Sequence, residues 1–213
     1  MRESLSYKDF WQEIPPAASR QEMGKPLVAN CIAPDMGRMT AESNGMEKLS
    51  EPTKLSLETR KGLRRFAKSV MVITARQGER RFAMSATAVS EVSLDPPTLL
   101  VCVNQTSAFH SSLVPGAEFA MSILHAGQEQ IARNCGGELR GEDRFDQGQW
   151  NETEAGTPWL SDAQASFICK LVRQIDHGTH SVFVGEVQHV YVNDPVDPLV
   201  YVDGRYVAPL RKD

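Results

Sequence analysis

The strongest constraint on the fold is a series of short apolar segments of strand-like composition, separated by turn residues at hairpin-like intervals. Pro96 and Pro97 divide two of these segments, because proline cannot lie inside a central strand. The predicted strands are residues 70–75, 81–89, 98–104, 119–124, 166–175, 181–192 and 199–202. Helices are predicted in a stretch that opens at residue 56, at 107–114 and at 128–135. This pattern predicts a mainly β protein, an antiparallel barrel with a few short helices.

The chain length of 213 residues allows one domain of ordinary size with an appendage. Five of the 12 prolines fall within residues 1–55, where no period of 2 or 3.6 persists. We therefore expect a partly irregular N-terminal extension at 1–55 and a folded domain at 56–213. A hydrophobic cluster in the extension is compatible with docking on the domain or on a partner, or with a fortuitous cluster in a mobile tail. Its members are Leu5, Tyr7, Phe10, Trp11 and Ile14.

Charge and hydropathy exclude several classes of protein. With 23 basic and 27 acidic side chains the net charge is −4, which argues against a sequence-independent nucleic-acid binder. No apolar run approaches the roughly 20 residues that cross a bilayer, and residues 1–25 do not resemble a secretory signal, so no membrane association is expected. Four widely separated cysteines favour a reduced, cytoplasmic protein. They are Cys31, Cys102, Cys135 and Cys169.

Motifs for common chemistries are absent from the sequence. It contains no G-x-G-x-x-G dinucleotide fingerprint, no P-loop and no G-x-S-x-G serine nucleophile. His177 and His180 are three residues apart, and on a strand that spacing points the rings to opposite faces, so we expect no metal site. A further set of acidic residues is interpreted as a solvated loop. These are Glu138, Glu142, Asp143 and Asp146.

Residues 82–104 carry the most chemical information. Small polar and small apolar side chains alternate there, and they leave main-chain N–H and C=O groups accessible to a flat, polar-edged ring. They are Ser85, Ala86, Thr87, Ala88 and Ser90. Asn104, Thr106 and Ser107 follow at a predicted helix start, where hydroxyl and N–H donors suit a phosphate. Close packing and helix capping explain each piece alone, but together the two pieces could bracket a ring and its phosphate.

Six stretches of the sequence, in order, resemble the flavin reductase family with the FMN-binding split barrel. This family includes the reductase components of two-component flavin-dependent monooxygenases. The matching stretches are AMSATA (83–88), EVSLDPP (91–97), CVNQTSAFH (102–110), DRF (143–145), HGTH with VGEV (177–180, 184–187) and PLVY with GRY (198–201, 204–206). Each stretch is weak alone, whereas six in order, spanning about residues 57–210, are specific to the family.

The resemblance implies an antiparallel split β-barrel and an NAD(P)H:flavin oxidoreductase. It also implies hydride transfer from NADH or NADPH to FMN or FAD, a flavin-dependent monooxygenase as partner, and a homodimer. Two alternatives stay open at this point. The protein could be a flavin-binding electron carrier or sensor without turnover, or it could pass electrons to another acceptor such as ferric iron or a corrinoid.

The resemblance also implies roles for individual residues. His180 corresponds to a histidine near the nicotinamide and is the predicted catalytic residue, which positions that ring. The residues implied in flavin binding are Met84, Ser85, Ala86, Thr87, Ala88, Ser90, Cys102, Val103, Asn104, Thr106, Ser107, Gln130, Arg133, Arg144, Phe145 and Tyr206. Asn104, Thr106 and Ser107 correspond to the phosphate contacts, with Gln130 and Arg133 completing that side. Tyr206 corresponds to a position near the open face of the ring.

Three positions depart from the family pattern. Ala88 replaces a common Ser, Phe109 replaces a common Thr, and Thr179 replaces the Asp of G-D-H. These changes alter hydrogen bonding to the ring and the charge near the nicotinamide, so they leave the preferred flavin and nicotinamide open. The sequence also identifies no donor or cation near the flavin N1 atom.

Overall fold

The computed structural model describes residues 53–208, so Cys31 and the hydrophobic cluster of the extension lie outside the described residues. Helix α1 (Lys54–Leu63) precedes strands β1 (Lys68–Ser69), β2 (Met71–Gln77), β3 (Arg80–Ala86), β4 (Val89–Leu94), β5 (Pro97–Asn104) and β6 (Glu118–Ile123). Helix α2 (Glu129–Arg133) continues into a π-turn (Asn134–Glu138), and 3-10 turns lie at His110–Ser112, Ala126–Gln128 and Gly141–Phe145. The remaining strands are β7 (Trp150–Glu152), β8 (Pro158–Leu160), β9 (Ala165–His177), β10 (His180–Val192), β11 (Val200–Val202) and β12 (Arg205–Val207).

Seven strands form one antiparallel sheet in the order β3-β2-β6-β9-β10-β5-β4. Strands β3 and β4 lie at its two opposite edges, yet only Thr87 and Ala88 separate them along the chain. The sheet must therefore curl until its edges approach each other, and the main-chain N–H of Cys102 donates to the Ala88 oxygen at 2.9 Å beside this junction. This arrangement confirms the predicted mainly β, antiparallel architecture.

Apolar side chains from both halves of the sheet fill the barrel. Phe119 and Phe183 are fully buried there. The Phe119 ring packs directly against Gly185 of β10, where a Cβ would lie 2.5 Å from the ring. A second core packs α2 and the following turns against the outside of β2 and β3. It includes Val72, Leu124, Ile131, Leu160 and Leu199.

Several local predictions differ from the structure. Residues 107–114 form a 3-10 turn at His110–Ser112 instead of a full helix, and Leu113 leaves helical geometry at φ −92° and ψ 84°. The predicted strand 81–89 ends as β3 at Ala86, and β4 (Val89–Leu94) was not predicted beyond its first residue. Strands β1, β7, β8 and β12 have two or three residues each, too few to show a period in the sequence.

Helix α1 is capped by Thr53, whose Oγ1 accepts from the Ser56 N–H at 3.1 Å, and none of its residues is buried. Arg64 follows the helix and binds Asp203 in the β11–β12 turn, with Nε 3.0 Å from Oδ1. Within residues 53–208, no helix has the length and apolar character needed to span a bilayer. The proposed boundary between residues 55 and 56 stays a prediction.

Candidate functional site

The turn after β5 is a compact group of hydroxyl and amide donors. Asn104 Oδ1 accepts from both the main-chain N–H and the hydroxyl of Thr106, each at 2.9 Å. Ser107 Oγ accepts from the Phe109 N–H at 3.2 Å, which leaves the Ser107 hydroxyl proton available to another acceptor. We refer to residues 104–110 as the hydroxyl turn. Its donor chemistry suits an anion such as a phosphate.

The tip of the β9–β10 hairpin lies against the hydroxyl turn. His180, the first residue of β10, pairs with Asn104, the last residue of β5. The Gln105 N–H donates to the Thr179 oxygen at 3.0 Å, and the Gln105 side-chain amide reaches the His180 oxygen at 3.4 Å. The structure thus places the predicted nicotinamide residue beside the predicted phosphate residues.

The His180 ring has a hydroxyl partner from its own chain neighbour. Thr179 Oγ1 lies 2.8 Å from His180 Nδ1. The Asp of the family pattern is replaced by this Thr, so a neutral hydroxyl supports the ring where a carboxylate would otherwise be close. His180 is partly exposed, so a ligand can reach it.

The small-residue strand offers mainly main-chain groups. Ser85 is buried and its hydroxyl donates to the Ala132 oxygen at 2.5 Å, which ties β3 to α2. Ala86 and Val103 are buried in the barrel core and Met84 packs against it. Any flavin contact by the buried Ser85, Ala86 and Val103 is therefore restricted to main-chain atoms, whereas Met84 is partly exposed.

Thr87, Ala88, Ser90 and Cys102 are more accessible than those core residues. Thr87, Ala88 and Cys102 are partly buried, and Ser90 is exposed. They lie at or beside the junction between β3 and β4. A planar ring lying against this junction can meet both main-chain and side-chain atoms.

Lys68 is a candidate residue that sequence reasoning missed. Burial raises the pKa of the Cys102 thiol, and the positive charge of Lys68 lowers it in part, so Lys68 acts electrostatically on Cys102. Within the described part of the chain no carboxylate lies within ion-pair distance of Lys68, whose Nζ is 5.5 Å from the Phe66 ring centroid. Only the pairing of β1 with β11 brings it there, and a two-residue strand gives no sequence signal.

Arg144 and Phe145 hold the outer edge of β3. Arg144 Nη1 donates to the Ala83 oxygen at 2.7 Å and its Nε donates to the Leu139 oxygen at 3.0 Å. Phe145 is buried, with the Arg81 guanidinium 4.3 Å from its ring centroid. Both residues therefore support the wall of the site through packing and main-chain bonds.

The composition of the acidic loop indicated a solvated loop. In the structure two of its carboxylates also accept hydrogen bonds from neighbouring side chains. Glu142 Oε2 accepts from Arg81 Nη2 at 2.6 Å and from Arg81 Nε at 2.9 Å. Glu138 accepts from the Gln130 amide at 3.1 Å. These carboxylates fix the loop against β3 and α2.

Arg133 and Gln130, predicted on the phosphate side, have carboxylates as partners in this structure. Arg133 Nη2 lies 2.6 Å from Glu129 Oε1, and the bond to Glu129 raises the pKa of the Arg133 guanidinium. Gln130 donates to Asn134 and Glu138. A phosphate contact by either side chain would have to compete with these acidic groups.

Tyr206 packs beneath Arg133, whose guanidinium carbon is 5.2 Å from the ring centroid. Its hydroxyl is buried and has no hydrogen-bond partner among residues 53–208. Burial raises the Tyr206 pKa to about 12, so the hydroxyl stays protonated and can donate. A buried donor without an acceptor is unusual, and it fits a polar group of a ligand.

Three features of the structure match what a flavin nucleotide requires. They are the donors of the hydroxyl turn, the accessible main chain near Thr87 and the buried Tyr206 hydroxyl. They offer donors for a phosphate and for polar ring atoms, and Lys68 adds a positive charge. The residues present therefore fit the cofactor that the resemblance implied. The individual flavin contacts stay predictions.

A comparison with protein families decides the assignment. The profile described as "Flavin reductase like domain" matches residues 63–209. The chain belongs to the flavin reductase-like family. This match confirms the resemblance drawn from the six sequence stretches, and with it the predicted class of flavin oxidoreductase.

Curated relatives of this flavin reductase-like protein include components of oxygenase systems. It is 34% identical over 172 residues to the "FADH(2)-dependent resorcinol hydroxylase, reductase component" of Rhizobium sp. (strain MTP-10005), covering 80% of this chain and 96% of the relative. It is 31% identical over 171 residues to the "FMN reductase (NADH) RutF" of Agrobacterium fabrum, covering 80% of this chain and 98% of that protein.

Solved structures of flavin reductases have the same fold. BorF, the flavin reductase component of a bacterial two-component tryptophan halogenase, is 36% identical and has a TM-score of 0.67 over 73% of this chain and 99% of BorF. Streptomyces globisporus SgcE6, an NADH:FAD oxidoreductase solved with NAD and FAD fragments, is 30% identical and has a TM-score of 0.66 over 76% of this chain and 96% of its own. The predicted split barrel is thereby confirmed.

Proposed function

We propose that this flavin reductase transfers hydride from NADH to FMN or FAD and supplies the reduced flavin to a separate flavin-dependent monooxygenase. The observation that carries the proposal is the pairing of His180 with Asn104, which joins the nicotinamide side to the hydroxyl turn. The named activities of the resorcinol hydroxylase reductase, RutF and BorF support the same function.

The hydroxyl turn binds the phosphate end of the flavin in this proposal. Ser107 contributes its hydroxyl proton, and Asn104 holds the Thr106 hydroxyl and N–H in a fixed turn. Thr106 and Ser107 are anchored by hydrogen bonds within the turn, so little conformational entropy is lost when the anion binds. The net charge of −4 means that local donors, not overall charge, provide the attraction.

The opening at Thr87, Ala88 and Cys102 receives the ring. A bound flavin supplies the hydride acceptor, and the reduced nicotinamide supplies the hydride. His180 orients the nicotinamide, while Thr179 keeps the imidazole in place through the 2.8 Å contact with Nδ1. Lys68 provides a positive charge close to the ring edge, which favours the ring when it carries negative charge. The protein contributes positioning and electrostatics, and no side chain has to transfer a proton.

A monooxygenase partner, a homodimer and a cytoplasmic location are part of the same proposal. The partner is supported by the names of the relatives. The homodimer is supported by Leu55 and Leu63 of helix α1 and by Phe66 after it, which are exposed within the described residues. A reducing compartment is supported by Cys102, Cys135 and Cys169, which are free thiols.

The test is a steady-state assay of the full chain that crosses NADH and NADPH with FMN, FAD and riboflavin. The proposal expects flavin-dependent oxidation of the nicotinamide, with electrons passing onward only as free reduced flavin. Binding of flavin without oxidation of NADH would identify an electron carrier or sensor instead. Direct reduction of ferric iron or a corrinoid at rates above those explained by free reduced flavin would identify another acceptor.

A further inference from the structure

A chain of three side chains links the hydroxyl turn to the β9–β10 hairpin. His110 Nε2 lies 2.8 Å from Ser181 Oγ, and Ser181 Oγ donates to Asp176 Oδ1 at 2.6 Å. The residues come from the end of the hydroxyl turn, the start of β10 and the end of β9. We call this set the Asp176–Ser181–His110 chain.

The protons of this chain can be assigned from its chemistry. An ionised carboxylate only accepts hydrogen bonds, so Ser181 must give its single hydroxyl proton to Asp176. The Ser181 oxygen can then only accept from His110, and the proton must reside on His110 Nε2. Burial lowers the pKa of His110, with Asp176 raising it in part, which favours a neutral ring above pH 6.5. The neutral ring is therefore held in the Nε2–H tautomer.

The surroundings of the chain make it rigid. Ser181 is fully buried, and the His110 ring packs edge-on against the core residue Phe183 with centroids 5.1 Å apart. The contact between His110 and Ser181 is therefore enclosed by the core, whereas Asp176 at the other end of the chain is exposed. Loss of the His110 donor would leave the buried Ser181 oxygen without that partner.

Two members of the chain, His110 and Ser181, are each next to a residue of the proposed site. The His110 main-chain N–H donates to the Ser107 oxygen at 3.0 Å, so His110 is bonded directly to a predicted phosphate residue. Ser181 directly follows His180 in β10 and pairs with Val103 of β5, next to the pair His180–Asn104. The buried contact thus joins the segment that carries the phosphate donors to the strand that carries His180, in addition to the main-chain pairing.

We propose that the Asp176–Ser181–His110 chain positions the hydroxyl turn and His180 relative to each other, so that it sets binding of the flavin phosphate and of the nicotinamide together. The three side chains are positioning residues and touch neither ligand. The inference rests on the proposed function, because it takes the hydroxyl turn to be the flavin end of the site and the β9–β10 hairpin to be the nicotinamide end.

The test compares matched substitutions at both ends of the chain in the full-length protein. His110→Gln keeps an N–H donor near the place of Nε2, whereas His110→Met has similar length and no donor. Asp176→Asn keeps an acceptor oxygen, whereas Asp176→Ala removes it at an exposed position where folding is not at risk. The dissociation constant of FMN is measured by fluorescence quenching, the KM for NADH by steady-state assay, and the melting temperature serves as the control.

The proposal expects His110→Met to raise both the FMN dissociation constant and the KM for NADH about tenfold, or about 1.4 kcal/mol each. His110→Gln should restore most of both values, and Asp176→Ala should raise both more than Asp176→Asn does. Nitrogen-15 spectra of the wild-type protein should show His110 as the Nε2–H tautomer without any ligand. If His110→Met fails to fold, the Asp176 pair and the spectra decide.

Equal behaviour of the Gln and Met variants would overturn the proposal, as would a change in only one of the two constants or an Nδ1–H tautomer. Wild-type values for both constants in Asp176→Ala would also overturn it. Failure of the proposed function would look different. The wild-type protein would then oxidise no NADH with added flavin, while the tautomer and the melting temperatures would still report on the chain.

Discussion

His180 and Asn104 are paired across β10 and β5, so the residue predicted to meet the nicotinamide lies opposite the first residue of the hydroxyl turn. The two residues come from distant parts of the sequence, and only the antiparallel pairing of these strands joins them. The phosphate donors follow β5, and His180 begins the adjacent strand β10. The site therefore has a phosphate end and a nicotinamide end. Flavin analogues can test those ends individually.

Substitution of Ser107 by Ala tests the phosphate end. The change should raise the dissociation constant of FMN about tenfold, since a hydrogen bond to a charged group contributes about 1.5–3 kcal/mol. Riboflavin, which lacks the phosphate, should bind the variant and the wild-type protein equally. Fluorescence titration with both flavins measures the difference, and an equal loss for riboflavin would place Ser107 away from the phosphate.

Substitution of Lys68 tests the end of the site that is proposed to hold the flavin ring. Lys68→Met should lower kcat for NADH-dependent flavin reduction about tenfold, equivalent to about 1.4 kcal/mol, because the reduced ring loses a nearby positive charge. FMN and riboflavin should be affected alike, and Lys68→Arg should retain most of the activity. The same substitution should slow alkylation of Cys102, since the Lys68 charge lowers the pKa of that thiol. If the Met and Arg variants have the same kcat, the charge has no role at the ring.

Tyr206→Phe should have opposite effects on stability and on binding. The wild-type hydroxyl is buried without a partner among residues 53–208, so its removal should raise the free energy of unfolding without flavin by about 1 kcal/mol. If the hydroxyl donates to the flavin, the dissociation constant of FMN should rise severalfold. Urea titration and flavin titration give the two values. A less stable variant would show that the hydroxyl has a partner in the protein.

Alkaline pH should destabilise the protein through its buried thiols. Burial raises the pKa of Cys135 and of Cys169 from 9.0 to about 12. Because these folded-state pKa values are raised, their contribution is fully present below pH 9 and is lost as the pH rises toward 12. The urea midpoint should fall over this range, and it should fall less steeply in a Cys135→Ala/Cys169→Ala double variant. Equal slopes for the double variant and the wild type would contradict this assignment.

The general architecture could be predicted from the sequence because it depends on local signals. Segments such as 119–124 and 181–192 carry strand composition, and the Pro96–Pro97 pair marks a boundary that coincides with the start of β5. The six family stretches added the order of the site residues. The small residues and hydroxyl side chains of these stretches can be recognised as functional in one sequence alone.

The partners of the site residues could not be predicted, because they depend on tertiary contacts. The Ser85 hydroxyl is committed to Ala132, and Arg133 is bound by Glu129, although both side chains are polar and were assigned to the flavin. Lys68 is held in place by the pairing of β1 with β11, and β1 is only two residues long. A helix was predicted after Ser107 from its capping residues, but the segment forms only a 3-10 turn at His110–Ser112.

Hydride transfer at the His180 site is tested by anaerobic mixing of the protein and FMN with NADH, with loss of flavin absorbance near 450 nm as the readout. We expect rapid bleaching with one NADH consumed per flavin, and at least tenfold slower bleaching at subsaturating NADH in His180→Ala, because nicotinamide positioning is worth several kcal/mol in such reactions. Bleaching no faster than in the absence of protein, or an unchanged rate in His180→Ala, would contradict it.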